Sequence, residues 1–156
     1  MILADTTILV RAVNLDDPLY TAAAEALEAL VARGRVLVIA PQNIMEFWAV
    51  ATRPKEARGG LGLSQQLTRA EVAGFARTFR LLPETRQVFA EWVRLAEQCA
   101  VAGKQVHDAR LAAWMRVHGI SEILTFNVDD FRRYPGITPV DPREVAPEGP
   151  LREDGV

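Results

Sequence analysis

The chain has 156 residues, 49% of them hydrophobic and 24% charged, with 18 basic against 20 acidic side chains and a formal charge of −2. That is enough apolar chain for one core and excludes wholesale disorder, while a single cysteine, Cys99, excludes a disulfide framework and a cysteine-rich zinc site. Apolar runs such as residues 36–40 reach only five residues, far short of the ~20 residues that cross a bilayer, and no basic segment precedes the first apolar residues, so a reducing cytoplasm is the expected location.

Short β-like runs alternate with amphipathic helical stretches, which predicts an α/β fold with a mainly parallel sheet. Residues 2–4 read as a first strand, followed by a helix to about Val13 that Asn14 to Pro18 interrupts. Leu19, Ala23, Ala26, Leu27 and Leu30 mark one face of a long helix with Gly34 just past its end. Residues 35–40 form a continuous apolar strand of the kind buried on both faces. Pro41 then suits a first helical turn, and Ile44, Phe47, Trp48 and Ala51 make an apolar stripe behind it.

Arg53-Pro54 ends that helix, and residues 55–64, with glycines at 59, 60 and 62, read as a mobile basic loop. Thr68 with Glu71 has the spacing of a capping box for a helix carrying Val72, Phe75, Ala76 and Phe79. Leu81-Leu82 is a possible strand, Val88 to Cys99 the face of another helix, and residues 107–118 a further one. Residues 120–125 and 137–140 read as the last strands. The prolines at 142, 147 and 150 mark residues 142–156 as a flexible tail, leaving one domain over 1–141. From Asp141 onward there are five acids and two arginines, so the sixteen basic and fifteen acidic residues before it leave nucleic acid open as a partner.

Ligands of open parallel sheets bind beyond the carboxyl ends of the strands. Asp5 directly follows the first strand, Glu46 lies in the helix after the second, Asp108 opens the helix leading into a later strand, and Asn127, Asp129 and Asp130 follow that strand. Several carboxylates at one edge raise one another's pKa, and a hard divalent cation relieves the conflict. Oxygen donors favour Mg2+ or Mn2+ over zinc. Each acid also has a plainer explanation. Asp5 suits a helix cap, Glu46 a solvated face opposite the apolar stripe, Asp108 the helix dipole, and the Asn127 group turn chemistry.

The residues Ile2-Leu3-Ala4-Asp5-Thr6-Thr7, Ile44-Met45-Glu46-Phe47-Trp48, His107-Asp108-Ala109-Arg110-Leu111-Ala112 and Leu124 to Phe131 together resemble, in order, the four acidic motifs of PIN-domain nucleases, and most closely the VapC-type toxins of toxin–antitoxin pairs. The resemblance implies a three-layer α/β/α sandwich and a metal-dependent endoribonuclease using Mg2+ or Mn2+. It assigns Asp5, Glu46, Asp108 and Asp130 as catalytic metal ligands, with Thr6, Thr125 and Asn127 supporting them. Thr7 stands where the family often has asparagine, and Asp129 matches a variable position. The implied partners are RNA, a second copy of the chain and a small antitoxin. The alternative is a catalytically weak PIN-like module that acts by binding protein or RNA.

Arg53, Lys55, Arg58 and Arg110 are the cations expected to attract phosphate, against a plain solvated loop and a surface ion pair. Trp48, Trp92 and Trp114 fall on apolar stripes and are expected in the core rather than stacked on bases. His107 reads as a helix-starting neighbour of Asp108, His118 as partly buried at a helix end, and Cys99 as inert. The glycines at 59, 60 and 62 do not join a strand to a helix as a dinucleotide fingerprint requires.

Overall fold

The computed structural model describes residues 1–145. Five parallel strands, β1 (Ile2–Ala4), β2 (Leu37–Ile39), β3 (Arg80–Leu81), β4 (Glu122–Leu124) and β5 (Thr138–Val140), pair in the order β3-β2-β1-β4-β5. The central strands are buried on both sides and therefore lack a polar alternation. Their side chains still divide by parity. Ile2, Ala4, Leu37, Ile39 and Leu124 enter one core, and Leu3, Val38 and Ile123 enter the other.

The first core is closed by α1 (Thr6–Ala12), α2 (Tyr20–Ala32), α3 (Pro41–Thr52) and α4 (Gln65–Phe75), the second by α5 (Arg86–Gln98), α6 (Gln105–Val117) and α7 (Val128–Phe131). Two helical layers thus enclose the sheet, the expected sandwich. The chain builds outward from β1 to β2 and β3, then returns to place β4 on the other side of β1. This reversal opens a crevice beyond the carboxyl ends of β1 and β4, where ligands of such sheets bind. Among the described residues, no helix is long and apolar enough to cross a membrane.

Several expectations need correction. Ser64, not Thr68, caps α4: its hydroxyl accepts the Leu67 N–H at 3.2 Å, while the buried Thr68 donates its own hydroxyl back to the Ser64 carbonyl. Trp48 is 37% exposed beside a fully buried Phe47, so it stands at the rim of its stripe rather than in the core. The loop after α3 is laid back along that helix, with Leu61 and Leu63 N–H groups donating to the Val50 and Ala51 carbonyls. A Cβ at Gly60 would lie 2.2 Å from the Pro54 carbonyl oxygen, so this close chain approach requires glycine. The packed chain also continues beyond 141. Pro142–Glu144 forms a 3-10 turn, and Val145 joins the first core. The rest of the expected tail, residues 146–156, lies outside the described residues.

Candidate active site at the carboxyl edge of the sheet

Asp5 is the junction between β1 and α1. It is 6% exposed and accepts three hydrogen bonds: Thr6 N–H to Oδ1 at 2.7 Å, and the hydroxyls of Thr7 and Thr125 to Oδ2, each at 2.7 Å. The first bond caps α1, so the helix-cap explanation and the site explanation describe one carboxylate. Burial pushes its pKa up, the Thr7 and Thr125 hydrogen bonds oppose that, and the charge of Glu46 adds to the rise. A carboxylate has about four acceptor positions. With three filled, Oδ1 retains the capacity to meet a ligand.

Glu46 leaves its helix toward this centre rather than toward open water. Its Oε2 accepts from the Thr6 hydroxyl at 2.6 Å and its Oε1 from Gln42 Nε2 at 2.7 Å. The hydroxyl donors are themselves aimed. Asn43 Nδ2 donates to Thr6 Oγ1 at 3.2 Å, Asn127 N–H to Thr125 Oγ1 at 3.0 Å, and Phe126 N–H to Thr7 Oγ1 at 3.4 Å. Each hydroxyl that accepts such a bond turns its proton to a carboxylate. Thr7, standing where the resembling family often has asparagine, thus supplies a hydrogen bond to Asp5.

Asp108 lies in the first turn of α6, across the cleft. Its pKa is raised to about 6 by burial first and then by the charges of Asp130, Asp5 and Glu46. This electrostatic coupling brings all four expected acids into one neighbourhood. Asp5, Glu46, Asp108 and Asn127 line a common cleft of about 580 Å³, whereas the exposed Asp130 lines an adjoining polar cavity that Asn127 also borders. Asp129 is tied at the surface to Arg132 at 2.8 Å.

Among the described residues, no group of three or more His, Cys, Asp or Glu side chains is placed to hold a metal ion as the site stands. The donor chemistry nevertheless fits a hard divalent cation: the buried Asp5 and half-buried Asp108 offer carboxylate oxygens with raised affinity for a proton. An open arrangement of this kind leaves positions for water and substrate.

The expected cations separate. Arg53 lines the cleft. Lys55 and Arg58 are exposed and do not. Arg110, its side chain 35% exposed, pairs with Glu84 at 3.1 Å and donates to Gln42 Oε1 at 2.9 Å. Gln42, which also donates to the His107 carbonyl at 2.9 Å, joins α3 to the turn that carries Asp108. Arg110 thus braces Glu46 through Gln42 and does not itself line the cleft.

Gln42, Asn43 and Arg11 are site residues that motif reading passed over. Gln42 and Glu46 are four apart and share a helix face, and Asn43 is the third residue of its helix, from which it reaches back to the Ala40 N–H at 2.8 Å. Those spacings were available signals. His107 is exposed and contributes its carbonyl, and His118 stacks on the buried Trp114 with ring centroids 4.4 Å apart.

A profile of the PIN domain matches residues 2–137. Over 137 residues, 84% of this chain and 89% of the relative, the sequence is 34% identical to ribonuclease VapC24 of Mycobacterium tuberculosis. Solved structures share the fold at lower identity. FitAcB from Neisseria gonorrhoeae is 16% identical with a TM-score of 0.67, covering 92% of this chain and 99% of that one. VapBC2 from Rickettsia felis, solved bound to a DNA fragment from their promoter, is 18% identical with a TM-score of 0.64, covering 90% and 98%. Mycobacterium tuberculosis VapC20, described as a sarcin–ricin loop cleaving toxin, is 21% identical with a TM-score of 0.56, covering 83% and 92%.

Proposed function

Because the chain belongs to the PIN-domain family, we propose that it is a metal-dependent endoribonuclease that hydrolyses RNA phosphodiesters as the toxin of a toxin–antitoxin pair in the cytoplasm. The observation that carries this reading is the meeting of Asp5, Glu46 and Asp108 in one cleft at the sheet's switch point. The 34% identity to a ribonuclease over most of both chains supports it. The partners in this reading are RNA, a small antitoxin and a second copy of the chain.

Asp5 and Asp108 would hold Mg2+ or Mn2+, with Glu46 and Asp130 orienting the attacking water or holding a second ion. Such an ion, when bound, neutralises charge on the phosphodiester and makes water a competent nucleophile near neutral pH. The protein's own contribution is orientation. Thr7 and Thr125 keep Asp5 Oδ2 occupied so that Oδ1 faces its ligand, and Thr6 with Gln42 fixes both oxygens of Glu46. Water adds to phosphorus in line with the departing 3′ oxygen, that P–O bond breaks, and a proton passes to the leaving oxygen. The products are a 5′-phosphate and a 3′-hydroxyl, with no covalent enzyme intermediate.

The test is cleavage of a panel of structured RNAs by the wild type and Asp5→Asn in Mg2+ or Mn2+. Asparagine keeps a cap for α1 but removes the charge, so the variant should fold as the wild type does and lose at least about a hundredfold in rate. Equal cleavage by both proteins would refute the assignment. RNA binding without cleavage by either would favour the weak binding module instead.

A further inference from the structure

The cleft does not end at its acids. The helices α1 and α3 both lead away from them, and along each the lining changes character. Six residues beyond Asp5, or about 9 Å along a helix, stands Arg11; seven beyond Glu46, or about 10 Å, stands Arg53. Both line the same cleft, as do Val10, Val50 and Leu61. One cavity therefore joins the carboxylates to two arginines, with Asp17 beside Arg11 and apolar side chains in its wall.

Arg11 is held in a fixed pose, its charge paired only at long range with Asp17. Its Nη1 donates to the Thr7 carbonyl at 3.1 Å, and its guanidinium lies 5.0 Å from the centre of the Phe126 ring. Its Nε is buried without a hydrogen-bond partner, and the nearest carboxylate oxygen, on Asp17, is 3.9 Å away, too far to accept. Asp17 spends that oxygen on the Leu19 N–H at 2.8 Å. A planar cation placed over an aromatic ring and paired only at long range with a carboxylate retains donors for an anion. Arg53 offers a second, solvent-facing guanidinium, steadied by the Arg58 carbonyl at 3.2 Å.

From this placement we infer that Arg11 and Arg53 grip the phosphate next to the cleaved one, and that the apolar side chains of the cleft wall carry the nucleotide between the two phosphates. The inference rests on the ribonuclease reading and deepens it. The acids act on one phosphodiester while the arginines fix the neighbouring one, so the strand is held at two points and its direction through the cleft is set. Asp17 limits the attraction by leaving a negative charge beside Arg11.

Steady-state cleavage of a fluorogenic single-stranded RNA in Mn2+, measured across a series of salt concentrations, tests this with Arg11→Gln, Arg53→Gln and Asp17→Asn. Each arginine variant should raise KM about tenfold with kcat within about threefold, as expected for a lost charge-assisted hydrogen bond to bound substrate. Each should also flatten the slope of log(1/KM) against log[salt] by about 0.7, the share of one single-strand phosphate contact. Asp17→Asn should lower KM, a gain that damage to the fold would not produce. Wild-type KM and slope in both arginine variants would overturn the inference while leaving the ribonuclease reading intact. So would a fall in kcat alone for Arg11→Gln, which would make Arg11 a brace for Phe126. A wild type that cleaves no RNA overturns the ribonuclease reading, and this inference with it.

Discussion

A threonine hydroxyl is one donor and an acceptor at once, and Thr6, Thr7 and Thr125 use both roles between backbone or amide donors and the carboxylates. Thr125→Val is nearly isosteric yet removes the donor to Asp5 Oδ2 and the acceptor of the Asn127 N–H. With one of its stabilising hydrogen bonds gone, Asp5 holds its proton more tightly still. Cleavage should fall about 10- to 100-fold, as for other residues that orient metal ligands, and stability by about 1–3 kcal/mol. Parallel rate measurements and urea unfolding check this; an unchanged rate would show that the Thr125 hydroxyl does not orient Asp5. At this scale, Asp5 and Asp108 were legible because each borders a recognisable element. Glu46 was ambiguous, since helical periodicity places it opposite the apolar stripe and says nothing of Thr6 reaching it from α1. Arg11 was invisible for the same reason. Its meaning depends on Phe126, more than a hundred positions away.

Among the elements, α3 does the most separate tasks. Phe47 and Ala51 anchor it in the core, Glu46 lines the cleft with the buried Gln42 and Asn43 behind it, and Met45 and Trp48 remain 60% and 37% exposed. An apolar outer face on a helix so firmly packed suits a partner surface, and a second copy of the chain is the proposed occupant. Trp48→Lys should leave the fold intact and reduce the sedimenting mass from about twice the 17.2 kDa chain to one; a monomeric wild type, or a variant that stays dimeric, contradicts that assignment. Helices with clear apolar periodicity were legible from sequence to within a few residues. The start of α4 was not, because Thr68 and Glu71 mimic a cap while Ser64 forms it. The short β3 fell within one residue of the expected Leu81-Leu82, whereas the four-residue α7 was not read, because packing supplied by distant chain, rather than local propensity, defines it.

Over the whole molecule, the sheet order is what converts scattered acids into a site. Because β4 returns beside β1, the residues following both strands meet at one crevice, and α3 and α6 bring Glu46 and Asp108 to it. The fold therefore concentrates negative charge where it has buried polar groups, a conflict visible in the raised pKa values of Asp5 and Asp108. For an acid whose folded pKa exceeds its ordinary value of 3.8, folding favours the protonated form. The protein without metal thus gains stability as pH falls through about 6 toward that value, and loses it again as pH rises through about 6. A divalent cation bound by the same carboxylates removes the penalty where they are charged and competes with protons where they are not.

The most direct measurement is the thermal midpoint of the wild type and Asp108→Asn, with and without Mn2+, at pH 8 and pH 5.5. A single cation site built from these acids predicts a Mn2+-induced rise for the wild type that is larger at pH 8 than at pH 5.5, and much reduced at both in Asp108→Asn. A Mn2+ effect of equal size at the two pH values, or one that the substitution leaves untouched, would contradict it.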